Sequence, residues 1–307
     1  PSFKKYLTEE RIGSMKSFLI TIICFSVLSE TFLADAKFSG SIRDGSLLQE
    51  LEDVRCFVMT DLFIHAEFVG LLTGEEIFTV FSPQDGAFDQ VLISSLTSDT
   101  DLLSNFLNYH MIPGNITSGI IQNDETFVTR EGTTVLTNIY ETTMTVNGAS
   151  IMSADQWAEN GMIHVINKVL YPAPAGNILS VLFNDAEGRF TTLLNAIEVS
   201  GLGGTLAGGP LTLFAPTNEA FEALPGGILD NLFSDPKLLE EVLLGHIVSS
   251  SIFEAGIVNG DLLSEAGKFI VVVVNEDGIT VDGGNVIETD LIATNGAIHA
   301  IDTVIHT

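Results

Sequence analysis

Residues 78–88 read FTVFSPQDGAF and residues 211–221 read LTLFAPTNEAF. Each is an apolar run that meets a proline and a polar turn before a phenylalanine returns. A second pair shares the same phase: residues 160–170 read NGMIHVINKVL and residues 295–305 read NGAIHAIDTVI. The offset between matched positions stays between 133 and 136, from Phe81 to Phe214, His110 to His246 and His164 to His299. An offset that large describes a duplicated domain, not a solenoid of short repeats. Within it, residues 146–169 align on 281–304 without a gap.

The quoted stretch reads as strand, turn, helix. Pro83 and Pro216 cannot continue a ladder, the polar pairs Gln84-Asp85 and Thr217-Asn218 are good helix starters, and Phe88 and Phe221 return to the core. Helical periodicity precedes it at 46–72 and 177–199 and follows it at 102–109 and 236–245, each second run ending at the mid-domain histidine. Strand patterns come next: 133–137 and 144–146 in the first copy, 269–274 and 279–281 in the second. Asn147-Gly148 and Asp277-Gly278 mark tight turns. The last unit, 163–170 or 298–305, alternates and reads as a closing strand. Helices early and strands late predict an α+β domain. The run Phe269-Ile270-Val271-Val272-Val273-Val274 has no alternation and predicts a strand buried on both faces. The glycine-rich stretch 201–209 predicts a flexible surface loop.

The pattern F-[SA]-P-x-[DN]-x-A-F, a mid-domain NYH or GH element and a closing N-G-x-I-H-x-I-x-x-V recur in order in both halves. Together they resemble the fasciclin domain family, over about 40–172 and 175–307. The resemblance implies two tandem fasciclin-like domains, each a β-sandwich or β-wedge with helices packed on one side. It implies a non-enzymatic adhesion or matrix protein whose partner is a cell-surface receptor or a matrix polysaccharide. Asn108-Tyr109-His110 matches an element implicated in integrin-dependent adhesion in animal members of the family, so these three residues are the adhesion candidates of the first domain. The second copy reads Leu244-Gly245-His246; it keeps the histidine and lacks the tyrosine. His164 and His299 sit among apolar neighbours and read as structural, their imidazoles satisfying buried backbone groups. With Pro83, Phe88, Pro216 and Phe221 they form the structural motif.

Residues 1–14 read as upstream sequence and 15–36 as a secretory signal. Met15 and Lys16 precede an apolar run at 18–28, Ala34 and Ala36 precede the cut, and the run falls short of the roughly 20 apolar residues a membrane helix needs. Residues 304–307 carry no lipid-anchor signal. The predicted product is secreted, with 171–176 as a proline-stiffened linker. Of the cysteines, Cys24 lies in the leader, which leaves Cys56 alone in a helix-periodic apolar pattern as a small buried residue.

With 40 acidic against 12 basic side chains and a net charge of −28, nucleic acid and anionic membrane are excluded as partners. The acidity reads as solubility, or as a diffuse weak calcium surface bridging to acidic polysaccharide. The turn 275–278 and the stretch 184–188 both lack dedicated calcium spacing. Arg43-Asp44-Gly45 has the wrong order for an integrin-binding tripeptide. Asn115-Ile116-Thr117 is a glycosylation sequon. No metal, cofactor, nucleophile-elbow or phosphate-loop motif is present. Asp155 and Asp290 read as turn or cap residues near Asn160-Gly161 and Asn295-Gly296. Two alternatives to adhesion are a carbohydrate-binding module, for which one Trp (Trp157) and four Tyr are a thin supply of platforms, and a hydrolase, which needs a cleft joining His110 to a carboxylate.

Overall fold

The computed structural model describes residues 45–171 and 176–305. The segment 1–14, the leader pattern 15–36 with Cys24, linker residues 172–175 and the last two residues lie outside the described residues.

The first half opens with α1 (Leu47–Asp53), α2 (Phe57–His65) and α3 (Val69–Leu72). The Ser46 hydroxyl caps α1 by accepting from the Gln49 amide. β1 (Phe78–Pro83) follows, then α4 (Gln90–Ser98) and α5 (Thr100–Tyr109), capped by the carboxylates of Asp89 and Asp99. The remaining strands are β2 (Met111–Pro113), β3 (Glu125–Val128), β4 (Thr134–Ile139), β5 (Met144–Val146), β6 (Ala149–Ala158) and β7 (Gly161–Ile166). They form one seven-stranded sheet in the order β2-β1-β7-β6-β5-β4-β3, with β1 and β7 parallel. β6 bends at two register shifts, with Asp155 at φ +56°. The sheet folds over, so that Phe81, Ile112 and Ile166 share a core with Val135, Val146 and Ala149.

A second core lies on the other side of β1 and β7. Val80 and Ile163 pack there against Leu51, Phe63, Leu103 and Phe106 of the helices. β1 and β7 are therefore buried on both faces.

The second half repeats the plan. Its helices are α6 (Ile178–Phe183), α7 (Thr191–Ser200), α8 (Gly203–Ala207), α9 (Asn218–Glu222), α10 (Ile228–Ser234) and α11 (Pro236–Leu244). Its strands are β8 (Leu211–Pro216), β9 (Ile247–Val248), β10 (Gly260–Leu263), β11 (Phe269–Asn275), β12 (Gly278–Val281), β13 (Gly284–Ala293) and β14 (Gly296–Ile301), in the order β10-β11-β12-β13-β14-β8-β9. Each half is thus a seven-stranded sheet plus helices, an α+β fold.

Several expectations are corrected. β11 is not buried on both faces: it alternates, with Ile270 and Val272 inward and Phe269, Val271 and Val273 exposed. The glycine-rich stretch holds α8, anchored by buried Leu202 and Leu206. After Pro83 there is only a 3-10 turn at Asp85–Ala87, because the Asp85 carboxylate accepts from the Val58 amide at 2.9 Å; in the second half α9 starts at once behind Thr217. The long strands β6 and β13 were not anticipated, since their bulges break the alternation that reveals a strand.

Candidate functional site

Each half builds two buried histidine nodes, and both copies use the same atoms. His110 follows α5. Its Nε2 accepts from the Leu170 amide at 3.1 Å, which leaves the proton on Nδ1 to donate to the Phe106 carbonyl at 2.8 Å. His246 repeats this with Ile305 (2.9 Å) and Val242 (2.8 Å). Both rings are fully buried. Burial pushes the His110 pKa down to about 4, against a smaller opposing pull from the Phe106 carbonyl. With both nitrogens bonded to backbone and no exposure, His110 opens onto no cleft that contains a carboxylate.

The closing strands carry the second node. His164 Nδ1 accepts from the Asp155 amide at 3.1 Å and Nε2 donates to the Ile116 carbonyl at 2.7 Å, while the ring stacks on Phe81. His299 makes the same hydrogen bonds with Asp290 (3.3 Å) and Ile252 (2.7 Å), and its ring lies tilted against Phe214. Burial lowers both pKa values.

These nodes fix the loop after β2 or β9. Thr79 donates to the Gly114 carbonyl and accepts from the Ile116 amide; Thr212 does so with Ser250 and Ile252. The Asp155 carboxylate accepts from the Ser118 amide at 2.8 Å and from its hydroxyl. Burial raises the Asp155 pKa, but the Ser118 bonds outweigh it and leave the carboxyl below its usual range. Asp290 accepts from the Glu254 amide at 2.7 Å. Both aspartates therefore cap this loop and not the Asn-Gly turn.

Tyr109 is fully buried; its hydroxyl donates to the Thr134 carbonyl at 3.2 Å and accepts from Asn147 Nδ2 at 2.7 Å. Asn108 is half-buried and accepts from Arg130 Nη1. As folded, the Tyr109 and His110 rings have no surface to offer a receptor; what they set is the joint between α5, β2 and β4. Asn115 is exposed in a loop, as glycan attachment requires. Phe221 is buried and Phe88 packs at the edge of the helix-side core. Cys56 is a buried free thiol whose pKa burial raises. In the acidic stretch 184–188, Asp185 is bound by Arg189, which also reaches Glu288.

Sequence reasoning missed the joint between the two halves. The loop 251–256 docks on the outer face of β4 and β5. Tyr140 donates to the Ser251 carbonyl at 3.1 Å and accepts from the Phe253 amide at 2.9 Å. Asn138 Nδ2 donates to Ser251 O at 3.1 Å and to Asp124 Oδ1 at 2.9 Å, and Asp124 also accepts from the Ser251 amide. Phe253 is fully buried with Leu136 and Ala297. A Cβ on Gly256 would overlap the Tyr140 ring. Lys168 Nζ lies 3.1 Å from both Glu254 and Asp290. Burial pushes the Tyr140 pKa to about 12. The signal that could have found this joint is the mismatch between the copies, since Phe253 stands where the first copy has Thr117.

Among the described residues, no group of three or more His, Cys, Asp or Glu side chains is placed to hold a metal ion, and no helix is long and apolar enough to cross a membrane. A groove between α6 and α7 is lined by Leu179, Phe183, Leu194 and Ile197, with Glu198 its one acid.

A duplicated wedge sheet with paired histidine nodes and a node-held loop defines the fold class. Residues 55–172 and 188–307 each match the Fasciclin domain model, and the chain belongs to that family. Transforming growth factor-beta-induced protein ig-h3 of Sus scrofa is 32% identical over 252 residues, covering 76% of this chain and 35% of that protein. Periostin of Homo sapiens is 32% identical over 243 residues, covering 76% and 29%. The chain spans about a third of the length of these relatives. Among solved structures, a FAS1 domain pair from the insect cell adhesion molecule Fasciclin I is similar at 18% identity and a TM-score of 0.39, over 84% of this chain and 95% of that one.

Proposed function

We propose that this is a secreted, non-enzymatic protein of cell adhesion or the extracellular matrix, acting by surface recognition of a receptor or matrix polymer. One observation carries the reading. In both copies the groups best suited to chemistry, four histidines and two aspartates, are bonded to backbone as scaffold, so recognition falls to the surface. Adhesion itself is what family membership implies. Tandem domains would raise avidity for a repetitive ligand, and the acidic surface would admit weak calcium bridging.

The test is cell attachment to a surface coated with residues 37–307, with and without calcium, against an equally acidic inert protein. Attachment above that control is expected. Attachment no better than the control in both conditions would overturn the reading.

The carbohydrate-binding reading draws on Trp157, which is 60% exposed on β6. If it holds, matrix polysaccharide shifts the Trp157 fluorescence and Trp157→Ala abolishes binding; polysaccharide that leaves the fluorescence unchanged removes it.

A further inference from the structure

The joint between the halves has two sides, and each half carries a version of both. The register is fixed by matched contacts. Thr137 pairs with Val146 as Val272 pairs with Val281, and Asn123 accepts from the Ile139 amide as Asn259 does from Val274. The β4 residues Leu136, Asn138 and the following Tyr140 therefore correspond to Val271, Val273 and Asn275. On the loop, the carbonyls that receive His164 and His299 align Ile116 with Ile252. Asn115, Thr117 and Ile120 then correspond to Ser251, Phe253 and Gly256.

One face and one loop make the intramolecular joint. Among the described residues, nothing covers the other face or the other loop. On the free face Val271 is 49% exposed, Phe269 63% and Leu263 57%, whereas Leu136 in the covered face is 5% exposed. On the free loop Asn115 and Ile120 are exposed.

We propose that a second copy of this chain docks head to tail, its loop 115–120 seated on the free face of β10, β11 and β12. The halves of this contact are matched in size: the covered joint sets a glycine under Tyr140, and the free one sets Ile120 against the smaller Asn275. Thr117 in place of Phe253 removes the aromatic knob, so the intermolecular contact is weaker than the internal one and depends on concentration. The surfaces in contact differ, so the operation does not close at a dimer. Mutual repulsion at a net charge of −28 opposes it, and added salt strengthens it. A glycan on Asn115 would occupy the joint and end the array.

The test is sedimentation velocity and light scattering on protein released by a secreting host with its N-glycans trimmed, over a range of concentration and salt. Wild type is expected to grow in mass beyond a dimer, more so in high salt. Val271→Asp, on the face, and Ile120→Asp, on the loop, should each weaken association by about tenfold or more. Mixed together they should form a 1:1 dimer and nothing larger, because one retains a working loop and the other a working face. Both positions are exposed, and unchanged melting confirms folding; Val273→Lys is a second face variant. A wild type that stays monomeric in high salt overturns the proposal. So does an Ile120→Asp variant that associates as wild type does, since the contact would then be face to face.

Discussion

In the first domain, the outer face of β4 and β5 carries Leu136, Asn138 and Tyr140 and is covered by the loop 251–256; in the second, the matching face carries Val271, Val273 and Asn275, which are exposed. Beneath these faces the two histidine nodes keep the same atoms and nearly the same distances. The chain has thus held constant what closes the wedge and varied what lies outside it. Buried polar groups tolerate little change because an unpaired partner is costly, whereas exposed positions shift within about 0.5 kcal/mol. The free faces are therefore where the two domains can differ in function.

The scaffold half of this comparison breaks most visibly at Gly161 and Gly296. Their φ values are +154° and +152°, and a Cβ at either would overlap the carbonyl oxygen of Phe78 or Leu211 in the paired strand. Alanine at either position should cost about 4 kcal/mol and unfold that domain, read as loss of its share of a denaturant transition. An alanine that melts like wild type in one domain would show that the two closing strands are not equivalent.

Phe253 and Phe269 sharpen the surface half. Phe253 is fully buried in the joint, so Phe253→Ala should cost about 3 kcal/mol and separate the unfolding of the two domains. Phe269→Ala, at 63% exposure, should stay within about 0.5 kcal/mol. Equal losses in urea unfolding would mean that the two faces are equally covered.

The duplication, the strand-turn-helix motif and the α+β class are legible in the sequence because they rest on apolar periodicity. The burial pattern is less so, and two strands show why. His164 makes β7 look half-polar, yet both its ring nitrogens find backbone partners and the strand is buried on both faces. Residues 269–274 of β11 are all apolar and nothing marks their outward face, so the run reads as buried on both sides, while Val271 and Val273 point to solvent. Periodicity reports side-chain chemistry; burial depends on whether a partner is present. The joint was illegible for the same reason, since Asp124, Asn138 and Tyr140 look like ordinary surface residues until the loop 251–256 covers them.

The histidine nodes also set a pH window. In the fold His110 stays neutral down to about pH 4, but in the unfolded chain it takes its proton near 6.5. The unfolded state therefore binds more protons between those values. Stability from this node is fully present above pH 6.5 and is lost as pH falls towards 4, by about 3 kcal/mol. His164 and His299 act in the same direction. The depressed carboxyl of Asp155 loses its contribution lower, as pH falls past the ordinary carboxylate range of 3.8. Urea unfolding from pH 7 to 4 should show a falling free energy, and His110→Gln should flatten that slope. An unchanged slope in the variant would place the acid sensitivity elsewhere.

A small effect is also expected at the ion pairs of the joint. Lys168 reaches Glu254 and Asp290, but its side chain is 47% exposed and that of Glu254 48%, so solvent screens much of the attraction. Burial is the largest single influence on the Lys168 pKa and lowers it, but the Asp290 and Glu254 carboxylates together outweigh it and give a net upward shift. Asp290 is mostly buried and is also held by the Glu254 amide, so Lys168 is not needed to keep it in place. Lys168→Met should therefore cost less than about 1 kcal/mol and reduce the salt dependence of unfolding, leaving the joint closed through Phe253 and Tyr140. In the second domain Thr303 stands where the first has Lys168, so a head-to-tail contact on the free face has no such pair. A loss well above 1 kcal/mol in Lys168→Met would shift the weight of the joint from apolar packing to charge, and would count against any contact that lacks the pair.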